Sequence, residues 1–227
     1  AAAHQQRPAL GDEAFRRLKN LAMLVEQTIP SDPGRERFLQ DERADVVLVS
    51  PLVRFGSEQA DWVKSARSLG IPEQRWTWLH GGQDAHDLWY FGERPALADS
   101  VAIAASVGDA LRQAGLDLDE ITDFDLYSCF PCMPRLTRRV LGLDEDDPRP
   151  MTLAGGLPYF GGPGSNYTMH AVAAAMRRCR SDREALALVT ANGWYCTKHA
   201  AGIYGGRPPL RPWSRMEWSI DRYLRNR

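Results

Sequence analysis

The chain has 227 residues, with 28 Lys and Arg against 29 Asp and Glu, and 44 % hydrophobic residues, ordinary for a globular protein. That near-neutral balance argues against general binding to nucleic acid or a membrane surface, and no apolar run reaches the ~18 residues that span a bilayer. Four cysteines (Cys129, Cys132, Cys179 and Cys196) are too few and too scattered for a disulfide scaffold, so free thiols in a cytoplasmic protein are the expectation.

Residues 13–29 read as an amphipathic helix, with Phe15, Leu18, Leu21, Ala22 and Val25 at helical spacing. The next stretch, SDPGRERFLQDERAD, is polar and turn-rich. Residues 45–49, DVVLV, suit a buried strand, and 57–69 suit a helix that Gly70 stops. Residues 75–79, RWTWL, suit a strand with Trp76 and Trp78 on one face. Residues 80–95, HGGQDAHDLWYFGERP, read as a long loop. Its His80, Asp84, His86 and Asp87 invite a metal, but no element is predicted there to fix ligands, and local hydrogen bonds are the plainer expectation.

Residues 99–114 form a helix that Gly115 ends, with Val101, Ala104, Gly108 and Leu111 as a narrow face for close packing. A strand over 124–128 leads to a helix over 131–141 with Pro131 near its first turn. Residues 152–175 hold two glycine pairs, Gly155-Gly156 and Gly161-Gly162, and then an Ala-rich helix capped by Ser165 or Asn166. A loop of this kind can aim free N–H groups at an anion or oxyanion. Residues 185–191 suit a strand, and NGWYCTKHAAGIY turns back as another. The Pro- and Arg-rich tail, 207–227, shows no closing element. Strand and helix alternate, which predicts α/β layering.

Three segments fall where strands end, the usual place for sites in α/β folds. They are LYSCFPC from Leu126 to Cys132, the glycine-rich loop, and TANGWYCTKH from Thr190 to His199. In this order and spacing they resemble the C-terminal half of the thiolase superfamily. LYSCFP is similar to the Asn-Glu-Ala-Phe block of thiolases, and closer to the His-Asp-Cys-Phe block of the sterol-carrier-protein thiolases. GGLPYFGGPGSN resembles the Gly-Gly…Gly-His-Pro loop, and VTANGW takes the place of the final Cys- or His-bearing turn. From about Trp76 to Pro212 the chain looks like bacterial thiolase-like proteins labelled acetyl-CoA acetyltransferase. Three positions depart from the pattern: Tyr127 stands where thiolases have Asn or His, Gly162 where the catalytic His precedes Pro, and Thr190 or a neighbour where the acid/base Cys lies. The half that carries the nucleophilic Cys has no counterpart here.

The resemblance implies thiolase-like αβα layers: a mixed sheet with helices on both faces, over residues 45–206, with 1–44 unassigned. It implies acyl-CoA acyltransfer in lipid or sterol metabolism, with the coenzyme A thioester as substrate, no further cofactor or metal, and a homodimer. Tyr127, Cys129, Asn192 and His199 are the side chains it sets near the reacting atoms; Gly155, Gly156, Gly161, Gly162 and His170 would line the substrate. One alternative is a retro-aldol carbon–carbon lyase on acyl-CoA thioesters, with Tyr127 as base and a small OB-fold, zinc-ribbon partner. Another is a non-catalytic acyl-CoA-binding subunit. A third uses Cys129 and Cys132 as a dithiol at a helix start.

Overall fold

The computed structural model describes residues 33–41, 68–70 and 72–210. The helix expected over 13–29, the strand at 45–49 and most of the helix at 57–69 lie outside them. The chain divides into two compact units, Ala1–Glu73 and Gln74–Arg227. In the first, helix α1 (Pro33–Asp41) occupies part of the stretch that reads as turns. Pro33 opens it where a missing N–H costs nothing, and Arg, Glu, Leu and Gln carry it onward.

The second unit is organised by a sheet of four strands: β1 (Trp78–His86), β2 (Asp123–Asp125), β3 (Leu186–Gly193) and β4 (Lys198–Gly205). Their spatial order is β1-β4-β3-β2. β2 and β3 run parallel, whereas β3–β4 and β4–β1 are antiparallel, so the sheet is mixed. Helices α2 (Val101–Ala114), α3 (Met133–Leu141) and α4 (Tyr167–Ser181) flank it.

Side chains alternate across each strand. Leu188 and its register partners Phe124 and Ile203 share a cluster with Ile103, Val107 and Ala110 of α2 and with Met133 and Leu136 of α3. Asp123 and Asp125 point the other way, toward α4. There Arg178 pairs with Asp123 at 3.1 Å, and the Tyr167 hydroxyl lies 3.3 Å from Asp125. Helices therefore cover both faces, as the α/β, thiolase-like layering predicts.

Strand β1 corrects two sequence readings. It starts at Trp78 instead of Arg75, and it runs through HGGQDAH, the stretch that reads as a loop. The reason is tertiary. Backbone pairing with β4 holds this segment, and a bulge falls between Leu79 and Gly81. A Cβ on Gly81 would sit 2.1 Å from the Ala110 carbonyl oxygen, so only glycine lets α2 lie this close. Gln113 of α2 then accepts the Gly82 N–H at 3.0 Å. Glycine and polar residues have poor strand propensity, and their sequence alone does not announce such a neighbour.

Helix α2 matches its expected span, with Ser100 accepting from the Ile103 N–H and Gly115 closing it in the left-handed region. The inward face differs. Ala104 is exposed, whereas Ala102, Ala105, Ser106, Ala110 and Gln113 are buried. Small residues encircle this helix, so composition does not mark the packed side. Strand β2 is also shorter than expected. Past Asp125 the Thr190 hydroxyl, not a backbone carbonyl, takes the Tyr127 N–H at 2.9 Å. A short 3-10 turn over Gly164–Asn166 precedes α4, and neither Ser165 nor Asn166 caps the helix as expected: Asn166 holds the cap position without a side-chain bond. Among the described residues no helix is long and apolar enough to cross a membrane.

Candidate functional site

The carboxyl ends of the parallel strands β2 and β3 lie side by side, and three loops meet there. Asp125 closes β2 and is fully buried. Its Oδ2 accepts the N–H groups of Leu153 at 2.8 Å and Ala154 at 2.9 Å, and the Thr152 hydroxyl at 3.1 Å. Protein donors replace water on that oxygen, while Oδ1 is buried without a hydrogen-bond partner. Asp125 thereby fixes the start of the glycine-rich loop. Sequence reading passed over it, although an acidic residue between Phe124 and Leu126 in an apolar strand is a visible signal.

The loop then spends its amides internally. Gly155 N–H donates to Thr152 Oγ1 at 2.8 Å, Gly156 N–H to the Tyr167 hydroxyl at 3.0 Å, and Leu157 N–H to Ser128 Oγ at 3.0 Å. The free amides expected at Gly155 and Gly156 are therefore engaged, and these two glycines shape the loop instead. Gly156 sits at φ 99 and ψ 157, a region essentially closed to residues with a side chain. Gly161 and Gly162 follow on the exposed side. Gly162 carries no group to move a proton. Phe160, just before them, packs edge-on to Tyr167 at 5.5 Å and stacks on His170 at 4.5 Å. That contact brings His170 to the loop as an aromatic support.

Tyr127 donates its hydroxyl proton to the Gly164 carbonyl at 3.0 Å, and its ring meets Tyr167 edge-on at 5.7 Å. Burial, and then the neighbouring Cys129, push the phenol above its ordinary range. Tyr127 is thus a proton-bearing donor at neutral pH, and its resting state does not suit a base.

Asn192, near the end of β3, faces Cys129. Its Nδ2 donates to Cys129 Sγ at 3.2 Å and to the Trp194 carbonyl at 2.8 Å. Its Oδ1 is buried and without a partner. The turn that follows holds two non-glycine residues in the left-handed region, Trp194 and Cys196, each at φ 57. Such backbone is costly for bulky residues and concentrates at functional sites. Trp194 is exposed, whereas Cys196 is buried, which raises its thiol to about 11.

His199 departs from expectation. It pairs in register with Asn192 across β3 and β4, but its Nδ1 lies 2.7 Å from Ser106 Oγ of α2. Burial lowers it to about 4, so the imidazole is neutral and committed to the core. The structure brings Tyr127, Cys129, Asn192 and the Gly162–Gly164 loop to one end of the sheet and leaves His199 under α2.

Of the residues with metal-like spacing, His80 and Asp87 hold hydrogen bonds, most of them to distant parts of the chain. His80 Nε2 lies 2.9 Å from the Arg207 carbonyl, and Asp87 accepts from Leu88 N, Ser100 Oγ and Val101 N. Among the described residues no three His, Cys, Asp or Glu side chains gather as a metal site. Cys129 and Cys132 are both free thiols.

No family model and no curated protein matches the chain. Among solved structures, it is similar to a monomeric SCP2-thiolase-like protein, type 1, of Mycobacterium smegmatis, with 44 % identity and a TM-score of 0.63 over 67 % of this chain and 33 % of that one. It also matches the peroxisomal 3-ketoacyl-CoA thiolase of Saccharomyces cerevisiae, described as five αβαβα layers from two core domains of identical topology, with 19 % identity and a TM-score of 0.45 over 65 % and 38 % of the two chains. A structure of the dimeric peroxisomal thiolase of that yeast matches with 18 % identity and a TM-score of 0.43 over 65 % and 34 %. The chain thus spans only 33 % to 38 % of the length of these relatives. The mixed sheet with helices on both faces, the loops gathered at its strand ends and the 44 % identity place the chain in the thiolase superfamily.

Proposed function

We propose that this chain acts in thiolase-type acyl transfer, with the thioester of an acyl-CoA bound where β2, β3 and the glycine-rich loop converge. One observation carries the reading: a free thiol, Cys129, sits at that convergence with the Asn192 amide aimed at its sulfur. Acyl transfer between thioesters needs a group that exchanges a proton with a thiol and donors where the carbonyl oxygen gains charge. Cys129 can serve the first need, and the Tyr127 phenol the second once a substrate oxygen replaces the Gly164 carbonyl as its acceptor. Lipid or sterol acyl groups, and a second copy of the chain as partner, complete the proposal.

A second reading is acyl-CoA binding without turnover. It is favoured by Gly162, where the resembled pattern has a histidine, and by the neutral, committed His199. One set of assays separates these. Acetoacetyl-CoA supplied with CoA should yield acetyl-CoA, and Cys129→Ala should lose that activity while keeping its affinity for CoA. Binding without product supports the second reading. Cleavage of a β-hydroxyacyl-CoA in the absence of free CoA would point to a lyase and to a search for an OB-fold partner. No binding of any CoA species overturns the proposal.

A further inference from the structure

Asn192 makes only half of its hydrogen bonds inside the chain. The Trp194 carbonyl can only accept, so the NH2 of the carboxamide must face it, and the same NH2 reaches Cys129. That fixes the orientation of the amide. Oδ1 is then directed away from both partners, shut off from solvent and unpaired. A buried amide oxygen without a donor is costly, and such groups in native proteins call for an explanation. The turn just beyond Asn192 adds to that cost by holding Trp194 and Cys196 in left-handed backbone. Two unfavourable features thus adjoin the same thiol.

We infer that Asn192 Oδ1 accepts a hydrogen bond from a donor on the bound thioester, making Asn192 a ligand-binding residue. This rests on the CoA-thioester reading above. The oxygen belongs to the carboxamide whose nitrogen touches Cys129, so the donor lies close to the thioester group. Two parts of an acyl-CoA present an N–H or O–H there: the pantetheine amide nearest the sulfur, and a hydroxyl on the acyl chain. The shared chemistry is a neutral donor, since an amide oxygen gives no charge to recognise. The NH2 meanwhile keeps the Cys129 sulfur and the Trp194 turn in place, so one side chain holds the thiol and reads the ligand.

The test is calorimetric titration of the full chain with CoA, butyryl-CoA and 3-hydroxybutyryl-CoA. It uses the native protein, Asn192→Leu and Asn192→Asp. Asn192→Leu should weaken binding about tenfold, the worth of one buried hydrogen bond. Asn192→Asp keeps an acceptor oxygen and should stay nearer the native value. A loss shared by all three ligands assigns the donor to pantetheine; a loss confined to 3-hydroxybutyryl-CoA assigns it to the acyl hydroxyl. Native affinity in Asn192→Leu overturns the inference and leaves the CoA reading intact. Equal losses in both variants also overturn it, because the shared defect is then the missing N–H brace on Trp194 and Cys129. If the native protein binds none of the three, the CoA reading fails and this inference falls with it.

Discussion

The Tyr127 hydroxyl donates to the Gly164 carbonyl across 37 residues of sequence, joining the end of β2 to the turn that starts α4. It is a tie between two loops that no secondary-structure ladder connects. Tyr127→Phe keeps the ring and its edge-on contact with Tyr167 and removes only this bond. The expected cost is about 1 kcal/mol, read as a lower urea midpoint at unchanged slope. Protease nicking within residues 157–166 should rise in parallel. An unchanged midpoint together with unchanged nicking would show that the tie contributes nothing.

Asp125 organises the same loop from below. Asp125→Ala leaves the Leu153 and Ala154 N–H groups and the Thr152 hydroxyl without their acceptor. Leu153 and Ala154 are half-buried and Thr152 is exposed, so water meets part of the loss, and the variant should lose about 2 kcal/mol of unfolding free energy. Asp125→Asn keeps one oxygen for those donors and should lose less. Equal losses in guanidinium titrations of the two variants would contradict a hub role.

Much of this architecture is legible in the residues. The α2 helix, the Ala-rich α4 and the β3–β4 return carry their own periodicity and turn residues, and they stand within a few positions of their expected ends. Strand β1 does not, because what makes it a strand is pairing with β4 near the far end of the chain, with α2 packed closely on it. The same logic governs the site. Cys129 and Asn192 are visible as strand-end residues, and their 3.2 Å contact follows from the parallel pairing of β2 with β3. His199 could not be placed from its spacing, since alternation sets which face it takes but not that Ser106 waits there. The engaged amides of Gly155 and Gly156 depend on Thr152 and Tyr167, polar groups whose bonding no local pattern reveals.

Gly81 offers a direct test of the β1 packing. Gly81→Ala would set a methyl 2.1 Å from the Ala110 carbonyl oxygen and 3.3 Å from the Ala114 side chain. Backbone, not a flexible side chain, is what it meets, so α2 must move off the sheet. The expected cost is about 3 kcal/mol, at the upper end for overpacked cores, and should appear as a large drop in melting temperature. Gly92→Ala is the control, since nothing lies within 4 Å of a Cβ there. If both variants melt alike, the close approach of α2 to β1 is wrong.

His199 gives the fold a pH dependence of definite sign. Its value falls from 6.5 to about 4 in the folded state because burial disfavours the imidazolium. Above pH 6.5 both folded and unfolded forms are neutral and the contribution is fully present. As pH drops from 6.5 toward 4 the unfolded chain takes up a proton that the folded chain refuses, so stability is lost through that window. At about 1.4 kcal/mol per pH unit, the loss by pH 5 is roughly 2 kcal/mol. Urea titrations at pH 7 and pH 5 measure it. His199→Gln removes the titrating group from the α2 interface, and its stability difference between the two pH values should be smaller by about that amount. Should the native protein and His199→Gln lose the same stability between pH 7 and pH 5, the buried imidazole is not the proton acceptor in the unfolded chain that this linkage requires.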